Sequence, residues 1–319
     1  RDLHSFPTRR SSDLAQAAMT NSSTDLNDEA TRQAATDELV QRVNEEIDVL
    51  SFDDSDQDTL RQLVESFSDK RGMMRLRIAE TLGQIGEPAT PVLIEALAKH
   101  PNEVVRRACA KTLTLIADPS AVPTLVNSFL HDSDTGVQGS SVGALARVGR
   151  PAAPDLLKIL ENPDHPETIK GHAAWALAFM GSEAKDLLMQ TLNAESEALR
   201  AAVVGAIAKV AQEEGSPDNF DILINALDDR SENVRCEAAA ALGNLAYQPA
   251  ISSLLPMLSH PSTETRKSAI LAVMKIGQAD TVSALQTAMA NETDDSLQPI
   301  FNLAISQIQK KTAANDDWD

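Results

Sequence analysis

Val105–Leu130, VRRACAKTLTLIADPSAVPTLVNSFL, reads as two short helices joined by a tight turn. Val105, Cys109, Leu113 and Ile116 fall at helical spacing and put small and apolar side chains on one face. Asp118, Pro119 and Ser120 interrupt the pattern, and a second helix follows with Val122, Leu125, Val126, Phe129 and Leu130 on its apolar side. Neither helix can bury that face alone.

The same brick recurs. With Leu113 as the key position, its equivalents are Leu82, Leu145, Leu177, Ile207, Leu242, Val273 and Ile305, each 30 to 35 residues from the next. A period in that range is the signature of a helical-repeat array. Seven residues before the key position the side chain is basic in most units: Arg75, Arg106, Lys170, Arg200, Arg235 and Arg266, with Gln138 and Gln298 as the exceptions. Two residues before it, Gly143, Gly205 and Ala240 are small, whereas Glu80 is not. Acidic residues in the turns lie near the basic register, and a ladder of exposed or partly exposed ion pairs is expected there.

The array is bounded on both sides. Residues 4–14, HSFPTRRSSDL, correspond to a sequencing-library adapter read in frame, so 1–18 is treated as a non-native leader, adapter-derived over 1–14. Residues 19–30 are polar and expected to be disordered. Two amphipathic helices within 31–71 are expected to cap the array, which occupies 72–309 and is followed by an acidic disordered tail, 310–319, with Trp318 as its one apolar feature. In the longest unit, AQEEGSPDNF (211–220) is expected to expand the inner turn.

The formal charge is −19, and the first 18 residues hold three arginines and two aspartates, so the chain is strongly acidic with or without them. That charge opposes nucleic acid and anionic lipid, which require a basic face. The one dense basic cluster, Lys70, Arg71, Arg75 and Arg77, reads as a solvated helix end. No apolar run reaches the ~20 residues that span a bilayer, and membrane insertion is not expected. Cys109 and Cys236 lie in separate units and read as small, buried residues of a reducing, cytoplasmic setting.

The sequence contains no phosphate-binding glycine loop and no HExxH zinc motif, and no catalytic residue or metal ligand is assigned. Deoxyhypusine hydroxylases, helical-repeat enzymes with a di-iron site, would require repeated His-Glu pairs; His172 is followed by Ala173 and no His-Glu dipeptide exists. In GHAAWALAFMG (171–181), His172 and Trp175 stand among small residues and are candidates for a ligand or partner pocket, with core packing the commoner fate of a tryptophan.

The units CEAAAALGNLA (236–246), AETLGQIGEPATPVLIEAL (79–97) and GHAAWALAFMG resemble the HEAT-like repeats of cyanobacterial E/F-type phycobilin lyases. The resemblance covers about residues 72–309. It implies a right-handed, all-α solenoid of about seven helix pairs plus capping helices. It also implies a bilin such as phycocyanobilin as a ligand, and a phycobiliprotein, a lyase partner subunit or an iron–sulfur assembly protein as partner. On the second helices, Glu95, Asn127, Lys158, Gln190 and Asn225 occupy equivalent positions and are candidates for a partner-facing strip. The resulting expectation is a non-catalytic protein-binding scaffold. The alternatives are a phycobilin lyase subunit or lyase-like chaperone, and a phycobilisome degradation factor.

Overall fold

In a computed structural model, which describes the backbone of residues 11–316 and the side chains of residues 28–311, all eight key-register residues from Leu82 to Ile305 are buried. Regular structure among the described residues is helical throughout. The helices are α1 (Ser11–Asp48), α2 (Gln57–Glu65), α3 (Gly72–Ile85), α4 (Thr90–Lys99), α5 (Glu103–Ile116) and α6 (Val122–His131). They continue with α7 (Thr135–Val148), α8 (Ala153–Glu161), α9 (Glu167–Met180), α10 (Lys185–Thr191), α11 (Glu197–Glu214) and α12 (Pro217–Ala226). The last are α13 (Glu232–Asn244), α14 (Ile251–Met257), α15 (Thr263–Ile276), α16 (Val282–Asn291) and α17 (Gln298–Asp316).

The turn inside each brick has a shared physical recipe. The first helix commonly ends on a residue with positive φ: Gly86, Gly149 and Gly277 have φ near 76–78°, a conformation glycine adopts without a Cβ penalty. Ala117 takes the same role at φ 56°. One turn of 3-10 helix then leads into the second helix, often with a proline at its start, and its last residue is buried: Ala89, Ala121, Ala152, Ala184 and Ala250.

The chain divides into two compact units. One comprises residues 1–124 and 131–141, the other 125–130 and 142–319. In the first, α1, α3 and α5 pack side by side, with α2 against α4. Arg71 donates to Asp37 and to the carbonyl of Gln33, and Thr81 donates to Asn44, so the Gln33–Asn44 stretch of α1 is held against α3. In the second unit α9, α11, α13, α15 and α17 succeed one another, each packed on its neighbour.

The basic register is built differently from the exposed ladder expected of it. Arg75, Arg106, Arg200, Arg235 and Arg266 each donate to a backbone carbonyl six residues upstream, at 2.5–2.9 Å, and Gln138 does the same through its amide. Each thus satisfies an acceptor in the turn that precedes its own helix. Arg106, Arg200 and Arg266 then reach forward to Asp132, Asp229 and Glu292 in the next inter-unit turn. These three pairs are largely buried, because the guanidinium must lie between two turns to bond both. Lys170 departs from the pattern, pairing only with Glu167 at 3.4 Å.

Three sequence expectations change. The insertion 211–220 lengthens α11 to 18 residues instead of opening a loop. Gly215, at φ 63°, closes the extra turn, Pro217 starts α12, and Glu214 pairs with Lys185 at 2.6 Å. Residues 19–30, expected to be disordered, lie within α1, where no proline or glycine interrupts Ser11–Asp48. The expected tail from residue 310 is helical through Asp316, because Lys310–Asp316 also contains no helix breaker; residues 317–319, with Trp318, and the leader residues 1–10 lie outside the described residues.

Candidate functional site

On α9, Trp175 and Phe179 are one helical turn apart and both face outward, 51% and 53% exposed, with ring centroids 5.7 Å apart. Two adjacent half-exposed aromatics are an unusual load for a helix surface. Counting from Leu177 explains them. They stand two residues either side of the buried key position, where α3 carries Glu80 and Gln84 and α5 carries Lys111 and Leu115. Core packing therefore does not account for Trp175.

Beside Trp175 runs a cleft of about 710 Å³ across α9, α11 and α13. Its floor is made of Gly171, Ala174, Ala198 and Ala201, whose short side chains leave the space that larger residues would fill. The rim is charged. Lys170 is tied to Glu167, Asn233 donates to Glu197, and the Glu237 carboxylate lies over Gly205, 3.1 Å from where a Cβ on that glycine would sit. Partial desolvation against the neighbouring helices pushes the Glu237 carboxyl above its ordinary range, although the residue keeps an exposed surface.

The sequence candidates distribute as follows. Trp175 lines this cleft. His172 is exposed on the same helix but lies outside the lining, its ring 6.4 Å from that of Phe129. Glu95, Asn127, Lys158, Gln190 and Asn225 are all exposed on second helices. Glu95 is paired with Lys99 and Lys158 with Asp155, both within their own helices, and Asn225 borders a smaller cavity of about 260 Å³. The cleft lies on first helices instead. Phe179, Glu197 and Glu237 are not among the sequence candidates, and Lys170 figures there only as a member of the basic register; the i, i+4 spacing of Trp175 and Phe179 about Leu177 is the available signal. Among the described residues, no three His, Cys, Asp or Glu side chains gather as a metal site would require.

The HEAT-repeat family matches residues 90–178, 153–223 and 220–300, and the PBS lyase HEAT-like repeat matches residues 74–99. The bilin biosynthesis protein MpeU of Synechococcus sp. (strain WH8020) is 32% identical over 287 residues, covering 90% of this chain and 97% of the relative. The chain belongs to the HEAT-repeat family and is a homologue of the bilin biosynthesis protein MpeU. Among solved structures, the complex of CpcE and CpcF of phycocyanin lyase from Nostoc sp. PCC7120 is 23% identical, covers 48% of this chain and 97% of that one, and has a TM-score of 0.42. A deoxyhypusine hydroxylase of Chaetomium globosum is 34% identical over 85 residues, 26% of this HEAT-repeat chain and 25% of the relative. Among the described residues no helix is long and apolar enough to cross a membrane.

Proposed function

We propose that this HEAT-repeat protein acts in chromophore attachment, as a phycobilin lyase subunit or lyase-like chaperone working on phycobiliproteins. The observation that carries the reading is the similarity to a bilin biosynthesis protein along 90% of this chain and 97% of the relative, which extends well beyond a shared repeat. It favours the lyase-related alternative over the plain protein-binding scaffold first expected. The ligand of this reading is an open-chain bilin, and the partners are a phycobiliprotein chain and a second lyase subunit.

The stacked helices suit such a role, since each brick offers exposed side chains on a frame fixed by its buried register. The test is an attachment assay. An apo-phycobiliprotein is incubated with bilin, with and without this chain, and with and without a partner subunit. Covalent chromophore is read by absorbance after denaturing electrophoresis. The expected result is faster or more site-selective attachment when the chain is present. Unchanged rate and unchanged selectivity in all four mixtures would overturn the proposal.

A further inference from the structure

The cleft beside Trp175 has a composition that discriminates between occupants. Its floor is apolar and made of small residues, so a rounded apolar body can approach closely, and its one aromatic wall is Trp175, with Phe179 beside Trp175 but outside the lining. Its rim holds three carboxylates, Glu167, Glu197 and Glu237, against a single cation, Lys170, which is itself 11% exposed and occupied by Glu167. A free bilin bears two carboxylates of its own, and lying in the cleft it would set like charges against Glu197 and Glu237. A basic segment would gain from the same groups.

We infer that this cleft docks an amphipathic helix of a partner protein, one whose apolar face is flanked by lysine or arginine. The mode is helix-in-groove: an apolar side chain of the partner packs on Trp175 while the floor of Gly171, Ala198 and Ala201 accommodates the helix body. Flanking cations meet Glu197 and Glu237 at the rim. As the one aromatic lining residue of a groove with a polar rim, Trp175 is the side chain expected to dominate binding. The inference concerns the polypeptide partner and stands whether or not the chain accelerates bilin attachment.

The test uses the full chain carrying Trp318→Phe, which leaves Trp175 as the sole tryptophan reporter. Three probes are titrated: a synthetic helical peptide with a leucine face and flanking lysines, the same peptide with flanking glutamates, and free biliverdin. The expected result is a blue shift of Trp175 emission with the lysine peptide, and binding at least about tenfold tighter than the glutamate peptide. Reversing the rim with Glu197→Lys and Glu237→Lys inverts that preference. Ala201→Leu, which fills the floor at a part-exposed position, weakens the lysine peptide by about tenfold or more while the melting temperature is kept. Equal affinity for the two peptides, or an unchanged Trp175 emission with the lysine peptide, overturns the inference. So does biliverdin binding that Ala201→Leu abolishes and the lysine peptide does not compete.

Discussion

Arg200 grips Asp229 with two parallel hydrogen bonds of 2.9 Å, and the two side chains are only 5% and 17% exposed. The third guanidinium nitrogen bonds the carbonyls of Ala194 and Glu195, so one side chain fastens the turn before α11 to the turn before α13. Arg200→Ala leaves the Asp229 carboxylate and two turn carbonyls without this partner, and is expected to cost about 3 kcal/mol. Arg200→Lys recovers only part of this, because an ammonium cannot present the planar fork that spans both turns. Urea unfolding of the two variants beside the parent chain checks the order; equal stability of all three defeats the argument.

The same pairs set the response to acid. The Arg200 hydrogen bonds hold Asp229 below its usual range, and those of Arg266 do the same for Glu292. At Asp132 burial pushes upward and is outweighed by the bonds from Arg106 and the Asp134 backbone. A carboxyl depressed in the folded state contributes fully above its unfolded value and loses that contribution as pH falls through the folded one. The melting temperature is therefore expected to hold near neutrality and to fall below about pH 4. Arg266→Gln should make that fall shallower, since Glu292 is then no longer held down. Glu237 has the opposite sign: its folded pKa is raised, so its ionisation costs stability at neutral pH. Because Glu237 keeps an exposed surface that screens this cost, Glu237→Gln should raise the melting temperature at pH 7 only slightly and leave it unchanged in acid, where the native carboxyl is already protonated.

Two glycines in equivalent helices should respond oppositely to alanine. At Gly243 an added Cβ would lie 2.8 Å from the Ala272 Cα, a backbone atom of α15 that cannot move without shifting its helix. Gly243→Ala is expected to destabilise by about 1–3 kcal/mol through overpacking, despite the better helix propensity of alanine. At Gly143 nothing lies within 4 Å of the added atom. Gly143→Ala is expected to stabilise by about 0.5–1 kcal/mol. Thermal unfolding of both variants decides the matter, and shifts of the same sign would sink it.

The contrast shows what could be read from residues alone. Leu82 through Ile305 were identifiable as core because burial of one large residue per brick is a condition for stacking at all, and the period records it. The Arg200 register was identifiable by position but not by depth. Whether a guanidinium is buried depends on a carbonyl six residues upstream and an acid 29 residues on lying on opposite sides of it, which spacing alone does not specify. Trp175 was ambiguous as an isolated tryptophan among alanines; its register two residues before Leu177 places it outside. The cleft lies where three first helices adjoin, whereas the candidates Glu95, Asn127, Lys158, Gln190 and Asn225 stand on second helices.

The two cysteines should differ in reactivity. Cys109 is fully buried, and burial pushes its thiol well above the ordinary range, so the thiolate that attacks a disulfide reagent is scarce and shielded. Cys236, near the start of α13, is only partly buried. Titration of the native chain with an aromatic disulfide is expected to release one equivalent promptly, and a second only in denaturant. Cys236→Ser should abolish the prompt phase and Cys109→Ala should leave it intact. Prompt reaction of both thiols in the native chain would show that the α5 core opens on the timescale of the reagent, against the complete burial of Cys109 and Leu113 in the same helix.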